Sequence, residues 1–178
     1  SKEEDIINIL TDNFIPQIIL DKEIKIALLC YLVKGIPLKQ IQRGDIHILF
    51  IADPSTAKSS IARELTQYMN KYTMADGTSS SGVGLTGAVI KEPLLNTNVL
   101  ELGAYPKANH GHCIIDEFDK LPKEDQSNLL NAIEEGVLKI HKAGVHKENI
   151  ETKVATLALS NPKYGRFDPY KAIKDQIE

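Results

Sequence analysis

Residues 46–60 read Ile46-His47-Ile48-Leu49-Phe50-Ile51-Ala52-Asp53-Pro54-Ser55-Thr56-Ala57-Lys58-Ser59-Ser60, an apolar strand that runs straight into a tight polar loop closing on Lys-Ser. In that layout a buried strand delivers a loop at its carboxyl end, and the loop's backbone N–H groups wrap an anion. The next helix then begins with the positive end of its dipole facing that anion. The pattern is a nucleotide phosphate cradle over Ala52, Asp53, Pro54, Ser55, Thr56, Ala57, Lys58, Ser59 and Ser60, with Lys58 reaching the β- and γ-phosphates and Ser59 holding Mg²⁺. Against it, glycine is missing at Ala52 and Ala57, where the general pattern asks for backbone freedom and close phosphate approach. Taken alone, the stretch also fits an ordinary strand, turn and helix with a surface lysine.

A second stretch, His112-Cys113-Ile114-Ile115-Asp116-Glu117-Phe118-Asp119-Lys120, is a short apolar strand ending in two carboxylates. Strand side chains alternate, so Asp116 and Glu117 project differently. One can hold the Mg²⁺ shell while the other polarises an attacking water. A spacing of roughly 60 residues from the loop suits two strands of one parallel sheet. A third apolar run, Val154 to Ser160, ends in Asn161 and is stopped by Pro162. Asn161 is placed to hydrogen-bond a γ-phosphate or the attacking water, although an Asn-Pro pair is also a common turn.

These motifs resemble the ATPase core of the minichromosome maintenance (MCM) replicative helicases, a branch of the AAA+ family. Arg43 to Leu49 leading into Asp53 to Ser59, Ile115 to Lys120 as a Walker B run, Gly84-Leu85-Thr86, Lys142-Ala143-Gly144 and Asn161 to Asp168 fall in the family's order and approximate spacing. The family's loop also carries alanine where Ala57 stands. Three departures accompany the likeness. Ala52 replaces the family's first loop glycine, Gln17 to Asp21 lacks the aromatic-glycine pair usual near the adenine base, and Tyr105-Pro106-Lys107 interrupts a stretch that the family keeps apolar.

The resemblance implies ATP and Mg²⁺ as cofactors, with Lys58, Glu117 and Asn161 catalytic and Ser59 and Asp116 on the metal. It implies a ring, hexameric in expectation, of MCM-like subunits on single-stranded or unwinding duplex DNA, at the chromosome of a nucleus or of an archaeal cytoplasm. The family's arginine finger follows the Asn161 strand by a few dozen residues. Arg166-Phe167-Asp168 imitates its setting but directly follows Asn161-Pro162, and reads as a separate family element. The chain is accordingly expected to be a truncated piece, without finger, helical lid or amino-terminal DNA-binding domain, and to hydrolyse ATP barely on its own. A chelatase or MoxR-like AAA+ ATPase, and a decayed MCM-like scaffold, are the rival readings.

With 178 residues and 42% hydrophobic content the chain can bury a substantial core as one domain. No apolar run is long enough to cross a membrane, and no secretory leader is expected. A formal net charge of −3 opposes a general basic surface, so contact with DNA must be local. Cys30 and Cys113 offer no disulfide framework and are expected to be buried thiols. His110, His112 and Cys113 lack a second ligand pair at zinc spacing and read as strand packing more readily than as a metal site.

Helical spacing recurs in Ile24, Leu28, Tyr31 and Leu32, in Ile61, Leu65 and Tyr68, and in Leu129, Leu130 and Ile133, each expected to be a core stripe. Helices alternating with the three apolar strands predict a three-layer α/β sandwich on a parallel sheet. Gly35 and Pro37 divide a helical cap over residues 1–37 from a nucleotide-binding core over 38–178. Met74 to Asn98 reads as a flexible, turn-rich excursion. The resemblance makes it part of an insert near residues 74–102, a β-hairpin carrying a short helix. Val137 to Ile150 reads as a second hairpin with Lys142 at its tip and Val145 starting the return. In the family a lysine there contacts the DNA backbone, and an exposed turn lysine is the plain alternative.

Overall fold

In a computed structural model of the chain, residues 2–37, 44–79, 82–92, 97–140 and 148–177 are described. Two helices open the chain, α1 (Lys2–Asn13) and α2 (Lys22–Val33). The strand β1 (Ile48–Ile51) feeds the polar loop and helix α3 (Lys58–Leu65), and β2 (Tyr72–Asp76) follows. A short helix α4 (Gly82–Thr86) leads into the antiparallel pair β3 (Gly87–Glu92) and β4 (Thr97–Leu102). Next come α5 (Ala104–Lys107), β5 (His112–Asp116), α6 (Lys123–Glu135), a second antiparallel pair β6 (Val137–Ile140) and β7 (Glu148–Glu151), and finally β8 (Ala155–Ser160).

β1, β8, β5 and β2 form one parallel sheet in that order. Its middle strand β8 is buried at all six positions, which is why Ala155 to Ser160 reads as a near-continuous apolar run. Strand alternation splits the core into two layers. On one face Ile114, Ala155, Leu157 and Leu159 pack with Phe14, Ile15, Leu28, Tyr31, Ile61 and Leu65 from the segments around α1, α2 and α3. On the other, Cys113 and Ile115 pack with Leu85, Tyr105, Leu129, Ala132 and Leu138. Each large aliphatic side chain so buried contributes about 1.5–3 kcal/mol relative to exposure. The helical cap thus shares its apolar cluster with the sheet. Helix α6 has Glu124 and Asp125 in its first turn, where they complement the dipole. It stops at Gly136, whose φ of 68° permits the left-handed cap and whose N–H donates to Ala132 O at 2.9 Å.

Several expectations are corrected. Met74 does not begin a loose excursion, because Tyr72–Asp76 is an edge strand of the parallel sheet, paired with β5 along its length. Its outer side chains stay exposed, Tyr72 at 44% and Met74 at 48%, so it lacks the apolar density that marks the inner strands. Cys30 is exposed; Cys113 alone of the two thiols is buried, and burial pushes its pKa up to about 11. Leu130 is 53% exposed, since a 100° step per residue carries it off the face that Leu129 and Ala132 present. Tyr68 is half exposed and stacks at a tilt on Phe14. Tyr105 and Pro106 do not break the apolar layer but fill it, with Tyr105 wholly buried and its hydroxyl 3.3 Å from Thr156 Oγ1. The return strand of the second hairpin begins, among the described residues, at Glu148; Val145 and Lys142 lie outside them.

His112 and Cys113 point to opposite faces of β5, which separates them as ligands for one ion. His112 packs edge-on against Tyr31, ring centroids 5.1 Å apart, and its Nε2 is buried with no hydrogen-bond partner. Burial lowers its pKa below the usual imidazole value and Lys34 adds to the shift, while backbone carbonyls of Tyr31, Leu32 and Lys71 partly oppose it. A histidine whose folded pKa is depressed contributes stability that is complete above the unfolded value near 6.5 and is lost as pH falls through the folded value. Chemical denaturation between pH 7.5 and 5 is therefore expected to show a declining stability that His112→Leu flattens, the variant being within about 1 kcal/mol of the parent at neutral pH.

Candidate nucleotide-binding site

All four strands of the parallel sheet run the same way, so their carboxyl ends bring Ala52, Asp76, Asp116 and Asn161 to one edge, where ligands of such sheets bind. The loop after β1 turns through two residues of left-handed backbone, Ser55 at φ 65° and Ala57 at φ 62°. Ala52 does not enter that region. The requirement for glycine freedom therefore falls on Ala57 and not, as the general pattern suggests, on both alanines. Thr56 Oγ1 donates to Asp53 O at 2.6 Å and tightens the loop.

Helix α3 starts at Lys58, which places the free N–H groups of its first turn and the loop at one point. Lys58 is 9% exposed. Its Nζ donates to Ala52 O at 2.6 Å, Asp53 O at 2.8 Å and Asn161 Oδ1 at 3.0 Å. Burial lowers its pKa, against the opposing pull of Asp116, Asp119 and Asp53. One residue on, Ser59 Oγ donates to Asp116 Oδ2 at 2.6 Å, and Asp116 Oδ1 accepts the N–H of Glu117 at 2.9 Å. Residues 54–60, Asp116, Glu117 and Asn161 line a cleft of about 290 Å³.

A hydroxyl and a carboxylate in contact are the hard oxygen donors that Mg²⁺ takes beside substrate phosphates, and the ammonium with the first-turn amides fits an anion. The donor set thus suits a metal–triphosphate. Lys58 with Asn161, and Ser59 with Asp116, form two hydrogen-bonded pairs that meet at adjacent residues of the loop, and Glu117 lines the same cleft. Lys142, the remaining expected site residue, lies outside the described residues.

The MCM P-loop domain family model matches residues 1–178. The chain belongs to the MCM family. DNA replication licensing factor MCM3 of Entamoeba histolytica is 36% identical over 179 residues, covering 99% of this chain and 30% of that protein. MCM7 of Arabidopsis thaliana is 38% identical over 173 residues, 94% of the chain and 24% of the relative. MCM3 of Gallus gallus is 39% identical over 182 residues, 99% and 22%. The chain therefore spans less than a third of the length of each of these MCM relatives.

The motif reading missed the roles of three residues, one of which, Asp53, it had placed in the phosphate cradle. Asp53, an acid inside a phosphate loop, turns its Oδ1 to the N–H of Phe167 at 2.8 Å, so that Arg166-Phe167-Asp168 is strapped to the loop. Asp119 accepts the N–H of Asn161 at 3.0 Å. Gly77 donates its N–H to Asp116 O at 2.8 Å, and a Cβ there would lie 2.1 Å from Glu117 O. Gly77 is thus a close-approach glycine and not loop punctuation. Only the recurrence of an acid two residues after Glu117 hinted at any of the three. Glu117 itself sits at φ 52°, a left-handed conformation costing about 1–3 kcal/mol and stored where the chemistry would be.

Two outcomes are expected. Gly77→Ala forces the backbone of Glu117 aside, lowering stability by about 1–3 kcal/mol in denaturant titrations. Ala57→Gly relieves about 1–2 kcal/mol of left-handed strain, less a smaller loss from added unfolded-state freedom, so thermal unfolding is expected to shift modestly upward.

Proposed function

We propose that the chain is the nucleotide-binding core of an MCM-type replicative DNA helicase subunit, which in the complete oligomer couples ATP hydrolysis to movement along DNA. The observation carrying this reading is the meeting of Lys58, Ser59, Asp116 and Asn161 at the carboxyl edge of one parallel sheet, on residues 57 and 103 positions apart in the chain. The names of the relatives, DNA replication licensing factors, support the process.

In this reading Lys58 exchanges its carbonyl partners for phosphate oxygens and neutralises their charge. Ser59 and Asp116 would hold Mg²⁺, which when bound offsets charge on the β- and γ-phosphate oxygens. Glu117 orients and accepts a proton from the attacking water, and Asn161 directs its amide to the γ-phosphate or that water. The β3–β4 and β6–β7 pairs stand apart from the parallel sheet as two-stranded sheets of their own, and Lys142, between β6 and β7 in sequence, would touch the DNA backbone. One lysine on a phosphate is sequence-blind, which suits a translocating motor. Neighbouring MCM-like subunits, in a ring expected to be hexameric, would complete the site at the chromosome.

Titration with a non-hydrolysable ATP analogue and Mg²⁺ is expected to give saturable binding that Lys58→Ala weakens about 10- to 100-fold, the worth of a charged hydrogen-bond donor. Absence of saturation at millimolar analogue would favour a decayed scaffold. In the complete protein, Lys142→Ala is expected to weaken single-stranded DNA binding; unchanged binding, with ATP turnover intact, would favour a chelatase-like ATPase.

A further inference from the structure

We propose that Asp119 is a positioning residue for Asn161, standing in for a ladder bond that the sheet cannot supply; this rests on the ATPase reading above. The register of β8 against β5 runs from Ala155 opposite His112 to Ala158 opposite Ile115. Beyond that point the β5 chain swings away through the left-handed Glu117. On its other side β8 stays paired to the end, Ser160 opposite Ile51, with Ala52 N–H donating to Ser160 O at 3.2 Å. The last residues of β8 and Asn161 are thus held on one edge only, at the place where Asn161 must be aimed. Pro162 follows and has no N–H to give.

Asp119 fills this gap from the 3₁₀ turn Phe118–Lys120. Its Oδ1 accepts the Asn161 N–H at 3.0 Å and lies 3.4 Å from Ser160 Oγ, while its Oδ2 pairs with Lys120 Nζ at 3.0 Å. The side chain is 17% exposed, so water competes weakly for these contacts. On its far side Asn161 Oδ1 accepts from Lys58. Asn161 is therefore gripped at its backbone by Asp119 and at its side chain by Lys58, and a run of contacts Lys120–Asp119–Asn161–Lys58 joins the turn after the acidic strand to the phosphate loop. Burial opposes ionisation of Asp119, but the Asn161 N–H and Lys120 outweigh it and hold the carboxyl below its usual range. Asp119 is not among the residues lining the cleft; it acts on Lys58 only through charge at a distance, and on Asn161 by direct contact.

The test uses the complete oligomer with Asp119→Ala, Asp119→Asn, Asn161→Ala and the double Asp119→Ala/Asn161→Ala. Asp119→Ala is expected to lower kcat at least 10-fold with analogue affinity within about 3-fold, as misplacement of an aligned group does. Asp119→Asn keeps an acceptor oxygen and is expected to stay within about 3-fold of the parent. The double variant is expected to be no slower than Asn161→Ala, as for residues acting as a unit. Independently of turnover, hydrogen exchange at the Asn161 amide is expected to speed up at least 10-fold in Asp119→Ala. Parental kcat in Asp119→Ala, equal losses in the Ala and Asn variants, or multiplying losses in the double would each overturn the proposal. Should Asp119→Ala not fold, Asp119→Asn decides: a loss beyond 10-fold overturns it. If Lys58→Ala leaves hydrolysis intact, the ATPase reading has failed, and amide exchange still reports whether Asp119 holds Asn161.

Discussion

The ammonium of Lys58, shared among Ala52 O, Asp53 O and Asn161 Oδ1, is the contact on which the rest of the site depends. One buried positive charge needs several oxygens around it, and this chain supplies them from both ends of the loop and from a strand tip 103 residues away. The phosphate loop is thereby tied to β8 directly, and to the acidic strand by the neighbouring bond between Ser59 and Asp116. Because β8 lies between β1 and β5, Asn161 is the natural bridge between loop and acids.

Strain gathers around this cluster. Ser55, Ala57 and Glu117 all take left-handed backbone without being glycine, and each is fixed by what surrounds it. Thr56 clamps the loop, α3 begins directly after Ala57, and Gly77 leaves room for the carbonyl of Glu117. Such conformations persist only where the packed structure over-determines them. Here the buried β8 and the two apolar layers on either side supply that rigidity. A second tier of carboxylates, Asp53 and Asp119, faces away from the cleft and holds backbone amides of the segment from Asn161 to Phe167.

Much of the fold was legible in the order of residues alone. Three of the four strands, β1, β5 and β8, announce themselves by uninterrupted apolar runs, each leading to a polar residue that the parallel sheet brings to one edge. The second hairpin is visible in the alternation before its turn, the first came only from the family likeness, and the pairing of both is present in the described strands. The edge strand Tyr72–Asp76 was not legible, because half of its side chains face outward and nothing distinguishes it from the glycine-rich stretch beyond. Leu130 was assigned to the interior on helical spacing, which defines a stripe but not which side of it is covered, and Cys30 on cysteine count alone, which says nothing of the face it occupies.

Chemical identity is carried locally: an amine, a hydroxyl, two acids and an amide stand at the ends of apolar runs, and that is a property of the chain. Which oxygen each of them meets is not. Asp53 read as one residue of the phosphate cradle, Asp119 as a further acid in an acidic motif, and Gly77 as one glycine among many, until the sheet order places β8 between β1 and β5 and the acidic strand turns away after Asp116. Hydrogen bonds between groups 42 and 114 residues apart depend on register and on where a ladder stops. Those are outcomes of packing the whole molecule, and no window of sequence contains them.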